Sequence, residues 1–154
     1  MTKPAPLLTA DPRLPAFIVD HALTLAHRIR RQVGGDADWS AHLRLGRAQD
    51  FPMDRDFAYC SADPATGRIE IVLAPRIVAE AATARGRDRI SGLLRHEFAH
   101  GLLLLAGLDH SERDADRVAA DVFGLPVWYD ADDVQTVNPK APGARRPRPA
   151  YLPA

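Results

Sequence analysis

An α+β fold is predicted for this chain, with a small, mostly antiparallel sheet and helices packed to one side of it. Three observations predict it. Arg68-Ile69-Glu70-Ile71-Val72-Leu73 alternates polar and apolar residues, the signature of a strand with one wet face. Phe17, Ile18, Ala22, Leu25, Ile29 and Val33 recur at helical spacing. Two further helical runs, 87–106 and the stretch after Ser111, follow one another across a short connection.

Taken in order, Pro4, Pro6, Pro12 and Pro15 keep the first residues extended. The first helix starts at Ala16, and Gly34-Gly35 stops it. His21 and His27 on this helix are read as surface or packing histidines, since neither has a second ligand at close spacing. His42-Leu43-Arg44-Leu45 and Phe57-Ala58-Tyr59-Cys60 are predicted as short strands. Asp63-Pro64-Ala65-Thr66-Gly67 is a turn leading into the strand 68–73, which ends at Pro75. A short helix over 76–84 is broken by Gly86, and a longer one runs over 87–106. Gly107 stands where a left-handed C-terminal cap is expected. Ser111 is an N-cap, and Asp114 completes a capping-box-like pattern. Ala115, Val118, Ala119, Val122 and Phe123 form the apolar stripe of the last helix, which Gly124 and Pro126 end. Trp128 and Tyr129 are expected to pack back on the core. Residues 1–137 read as one domain and 138–154, rich in Pro and Arg, as a mobile tail.

The chain has 154 residues, 46% hydrophobic and 26% charged, enough apolar material for one core. Twenty basic and 20 acidic residues cancel. A chain-wide basic footprint is therefore missing, and no nucleic-acid partner is expected. Cys60 is the single cysteine, so no intrachain disulfide and no CxxC motif can exist. No apolar run approaches the ~20 residues that span a bilayer. The N-terminus lacks the pattern of a signal peptide. A soluble, cytoplasmic protein is expected.

The chemistry lies in His96-Glu97-Phe98-Ala99-His100, an HExxH pattern. Residues four apart stack on one face of a helix, so two imidazoles can hold one Zn2+ ion between them. Glu97 lies about 100° further round, where it reaches a water on the metal without being a ligand. Zinc acidifies that water, and the carboxylate takes its proton as general base. A catalytic zinc needs a third protein ligand and one open position. Glu112, Asp116 and His110 are the downstream candidates. Tyr59, Tyr129 and His110 are candidates to stabilise an oxyanion.

HEFAH followed by ERDADRVAADVFGLP resembles the gluzincin metallopeptidases, and is most similar to the ImmA/IrrE-like peptidases, over roughly Arg68 to Pro126. The resemblance implies a zincin-like domain whose active-site helix is followed by a second ligand-bearing helix. It implies His96, His100 and Glu112 as zinc ligands, Glu97 as base, and Asp116 holding a ligand imidazole by its other nitrogen. It also implies a protein or peptide substrate, and that the strand RIEIVL lines the substrate cleft. The gap from His100 to Glu112 is shorter than these families usually show. In a plain helical hairpin turning at 107–110, Asp116 would lie nearer the histidines than Glu112, and His110 is reminiscent of the late histidine of SprT-like peptidases. The third ligand stays open among the three. A second resemblance, of His100–His110 (HGLLLLAGLDH) to the YbeY-type endoribonucleases, puts Leu104 where that family has a metal-binding histidine. A non-catalytic, zinc-stabilised binding module is the third reading; it would close the metal with four protein ligands.

Overall fold

The computed structural model describes residues 6–33, 38–52, 57–123 and 136–137. The chain forms β1 (Leu8–Ala10), α1 (Ala16–Val33), β2 (Ser40–Leu45), β3 (Ala58–Asp63), β4 (Arg68–Leu73), α2 (Pro75–Val78), α3 (Ala84–Leu105), β5 (His110–Ser111), α4 (Glu112–Phe123) and β6 (Thr136–Val137). The α/β mixture was expected, but the sheet is not mostly antiparallel. Its order is β1-β2-β4-β3, with β1/β2 and β2/β4 parallel and only β3/β4 antiparallel. The physical reason is the connections. Helix α1 is a crossover that returns the chain to the start of the sheet, so β2 runs alongside β1. Strand β3 then takes the far side of β4's place, so that β4 lies between β2 and β3. Only the turn 63–67 is a hairpin, closed by the amide of Gly67 donating to the Asp63 carbonyl at 2.8 Å.

The wet face expected for β4 is confined to its start. Arg68 is exposed and Glu70 half-buried, but Val72 is as buried as Ile69, Ile71 and Leu73. Phe51 and Gly46, in the loop after β2, lie against Val72 and cover that end of the second face. Where the face stays wet, Arg44 donates to the Tyr59 hydroxyl at 3.0 Å and pairs with Glu70 at 3.5 Å.

Helix α3 begins at Ala84, three residues before the expected start at Arg87, and Gly86 lies inside its first turn. Thr83 is the cap: its hydroxyl accepts the Gly86 amide at 3.0 Å. Gly86 is required here because a Cβ would collide with the carbonyl of Glu80. The glycine permits a close approach of α3 to the preceding turn; it does not break the helix. The helix lies on β3 and β4 and against α4 and α1. Gly101 meets Ile69 of β4, which would stand 2.8 Å from a Cβ, so a missing side chain lets the helix settle on the sheet. Residues 96–101 are consequently buried without interruption.

Both ends of the α3–α4 connection form as the sequence predicts. Gly107 adopts φ 69°, the Leu108 amide donates to Leu103 at 3.1 Å and the Gly107 amide to Leu104 at 3.0 Å, a Schellman closure. The Ser111 amide donates to the Asp114 carboxylate at 2.9 Å, and Ser111 Oγ accepts the Asp114 amide at 3.1 Å. The Asp114 carboxyl is held below its usual range chiefly by the Ser111 amide. Gly34-Gly35, Gly124, Pro126, Trp128, Tyr129 and the tail 138–154 lie outside the described residues. Ser111→Ala should lower the unfolding free energy by about 1 kcal/mol, the usual value of a serine cap. A urea midpoint unchanged at neutral pH would show that the cap is not what starts α4.

Candidate metal centre

One turn of α3 separates His96 from His100, so their rings meet edge to face with centroids 4.6 Å apart. Their Nε2 atoms lie 2.9 Å from each other. Helix α4 starts at Glu112, directly after the extended pair His110–Ser111, and this carboxylate faces both rings. Its Oε2 is 2.7 Å from His96 Nε2 and 2.7 Å from His100 Nε2. Asp116, one turn along α4, meets the other nitrogen of His96, with Oδ1 2.9 Å from Nδ1. His110 meets the other nitrogen of His100, with Nε2 2.7 Å from Nδ1. The hairpin expectation that Asp116 stands closest to the pair therefore fails in the structure. The extended step at His110–Ser111 resets the register of α4, so that its first residue is level with the gap between the imidazoles. His96, His100 and Glu112 lie close enough to hold one metal ion.

Electrostatics supports that use. All three residues are at most 1% exposed. Asp116 accepts the Nδ1 proton of His96, which leaves the lone pair of a neutral ring on Nε2, pointing at Glu112. Glu112 Oε1 is buried and without a hydrogen-bond partner. Electron-rich atoms 2.7–2.9 Å apart repel unless a cation sits among them. Two cations are available, a proton and a metal ion. In the metal-free chain, burial opposes the charged His96 ring, but Asp116 and Glu112 outweigh it and raise its pKa to about 9. Burial likewise opposes the Glu112 carboxylate, and the two histidines outweigh it and hold its pKa down at about 2. A tetrahedral zinc with bonds of about 2.0–2.2 Å separates its ligands by roughly 3.3 Å, so the cluster would open by only a few tenths of an ångström. The donor set of two imidazoles and a carboxylate suits a divalent transition-metal ion, of which zinc is one.

Glu97 is 2% exposed and near enough for its charge to act on His96, yet it is not one of the three converging groups. Three groups converge among the described residues. The strand RIEIVL cannot offer a free edge, because β2 and β3 flank β4; the edge strand beside α3 is β3. Among the oxyanion candidates, Tyr59 is bonded to Arg44, both nitrogens of His110 are engaged within 3.0 Å, and Tyr129 lies outside the described residues. His21 bonds Ser91 at 2.8 Å and stacks on Phe17, a packing role; burial, then the Arg95 charge, lower its pKa. In the endoribonuclease register Leu104 has no ligand atom to give, and the electron-rich atom beside His100 is Glu112 Oε2. Sequence reasoning missed the Leu108 carbonyl, which accepts from His110, and the pairing of β5 with β6. A backbone carbonyl carries no sequence signal, and two-residue strands show no alternation. No family model, curated protein or solved structure matches this chain.

Purified protein should hold about one zinc per chain, measured by elemental analysis, with none in His96→Ala or His100→Ala. Glu112→Gln should weaken zinc more than Asp116→Asn, whose loss is set at about 10- to 100-fold. Equal effects of the two would contradict a ligand role peculiar to Glu112. Stability should also depend on pH in opposite ways with and without metal. A raised His96 pKa stabilises the metal-free fold fully below pH 6.5, and that stability is lost as the pH rises through about 9. The urea midpoint of chelator-treated protein should fall across this window. Zinc-loaded protein should not show the fall, because deprotonation favours metal binding.

Proposed function

We propose that the protein is a zinc-dependent metallopeptidase that hydrolyses peptide bonds of a protein substrate, of the gluzincin type and most like the ImmA/IrrE-like peptidases. The observation that carries this reading is the separation of roles along one helix. His96 and His100 converge with Glu112, while Glu97, buried beside them, stays out of the trio. A structural zinc is enclosed by four protein ligands, whereas three ligands with a further carboxylate alongside that is not one of them suits a hydrolytic arrangement.

Zinc held by His96, His100 and Glu112 would supply Lewis acidity for a carbonyl and for water. Glu97 takes the proton of the attacking water and passes it to the departing amine, as a general base and then a general acid. Asp116 keeps His96 oriented throughout. Among the described residues no helix is long and apolar enough to cross a membrane. With a single buried cysteine, we place the reaction in the cytoplasm.

Glu97→Gln separates catalysis from metal holding. Zinc content and the circular dichroism spectrum should be retained, while hydrolysis of an unfolded protein substrate drops at least ~100-fold, the low end for a general base. Loss of the metal in this variant would make Glu97 a ligand and overturn the assignment. Cleavage of RNA with peptides left intact would favour the endoribonuclease reading.

A further inference from the structure

We propose that His110 is a positioning residue of the metal centre. It accepts the Nδ1 proton of His100 while donating its own Nδ1 proton to the Leu108 carbonyl, and so fixes the lone pair of His100 on the Nε2 that faces the metal position. The inference rests on His100 being a metal ligand. It does not rest on the bond that the protein cleaves.

Hydrogen-bond directions follow from the one group that has no choice. A carbonyl can only accept, so His110 Nδ1, 3.0 Å from Leu108 O, must carry a proton. A neutral His110 ring then has its lone pair on Nε2. His100 Nδ1, 2.7 Å away, must donate to it. What remains on His100 is the lone pair at Nε2, the atom that stands 2.7 Å from Glu112 and 2.9 Å from His96 Nε2. A backbone carbonyl thus selects the tautomer of a ligand through an intervening ring.

The backbone of this relay is held on both sides. Leu108 leaves the Schellman turn, where its amide is bonded to Leu103 at 3.1 Å. His110 pairs with Val137, and Ser111 with Thr136. The ring is 3% exposed and tilted against that of His100, with centroids 4.9 Å apart. Charge explains why a neutral ring suits this position. Glu112 and Asp116 already offset a divalent ion, and Glu97 is buried beside them. Another carboxylate behind His100 would add negative charge to a dry site, where unbalanced charge is costly.

Two substitutions and one spectrum test the relay. His110→Phe keeps the ring volume and removes the acceptor; His110→Gln restores an acceptor oxygen. Zinc affinity is read by competition with a chromophoric chelator, and the proton on His100 by nitrogen-15 NMR of the ring. In zinc-loaded wild type, a nitrogen–nitrogen coupling across the His100–His110 hydrogen bond is expected. In His110→Phe, zinc should bind about 10- to 100-fold more weakly, the usual cost of losing a partner behind a ligand. In the metal-free form of this variant, His100 should populate both tautomers. His110→Gln should recover most of the affinity. Wild-type affinity in His110→Phe, or equal loss in both variants, overturns the proposal. A loss as complete as that of His100→Ala would make His110 a ligand instead. If His110→Phe does not fold, the wild-type coupling decides: its presence supports the relay and its absence overturns it. A chain that binds zinc as described but cleaves no peptide would sink the peptidase reading and leave this one standing.

Discussion

Six ionisable residues, His96, Glu97, His100, His110, Glu112 and Asp116, are each at most 3% exposed. Leaving such groups without partners in a dry interior costs several kcal/mol apiece. This constraint shapes the seam between α3 and α4. Each nitrogen of the two α3 histidines has a partner within 2.9 Å, and those partners come from α4, from β5 or from the other histidine. The seam is therefore held by polar contacts of fixed direction as well as by apolar packing. A shift of α4 by one residue would strand several of them.

The outward nitrogens of the two histidines are treated differently. His96 has a carboxylate behind it, and His100 has another imidazole. Both arrangements take up the Nδ1 proton and leave Nε2 for the centre, but only the first adds charge. With Glu112 between the rings, the two carboxylates balance a divalent cation, and a single proton does so only in part. Glu112 Oε1 is buried and without a hydrogen-bond partner among the described residues.

The sheet contributes by bringing α3 close. Gly101 over Ile69 and Gly86 against the Glu80 carbonyl are the two places where a side chain would hold the helix away. With α3 packed on β3 and β4 and against α4, residues 96–101 are buried. The same contact places the edge strand β3 alongside the helix that carries the histidines.

The sequence by itself determined whatever acts within a turn or two of chain. The i, i+4 histidines, the left-handed Gly107, the Ser111–Asp114 box and the Asp63–Gly67 hairpin are local. Their hydrogen bonds close between near neighbours, so residue type and spacing suffice to read them. Tertiary structure alone decided the rest. Which of Glu112, Asp116 and His110 joins the two Nε2 atoms depends on the register between α3 and α4. That register is set by an extended step at His110–Ser111 that leaves no periodicity in the sequence. The parallel pairing of β1, β2 and β4 depends on where the crossover helix returns the chain and on β4 entering between β2 and β3. A strand's alternation reports which faces are wet, and carries nothing about the direction of its neighbour.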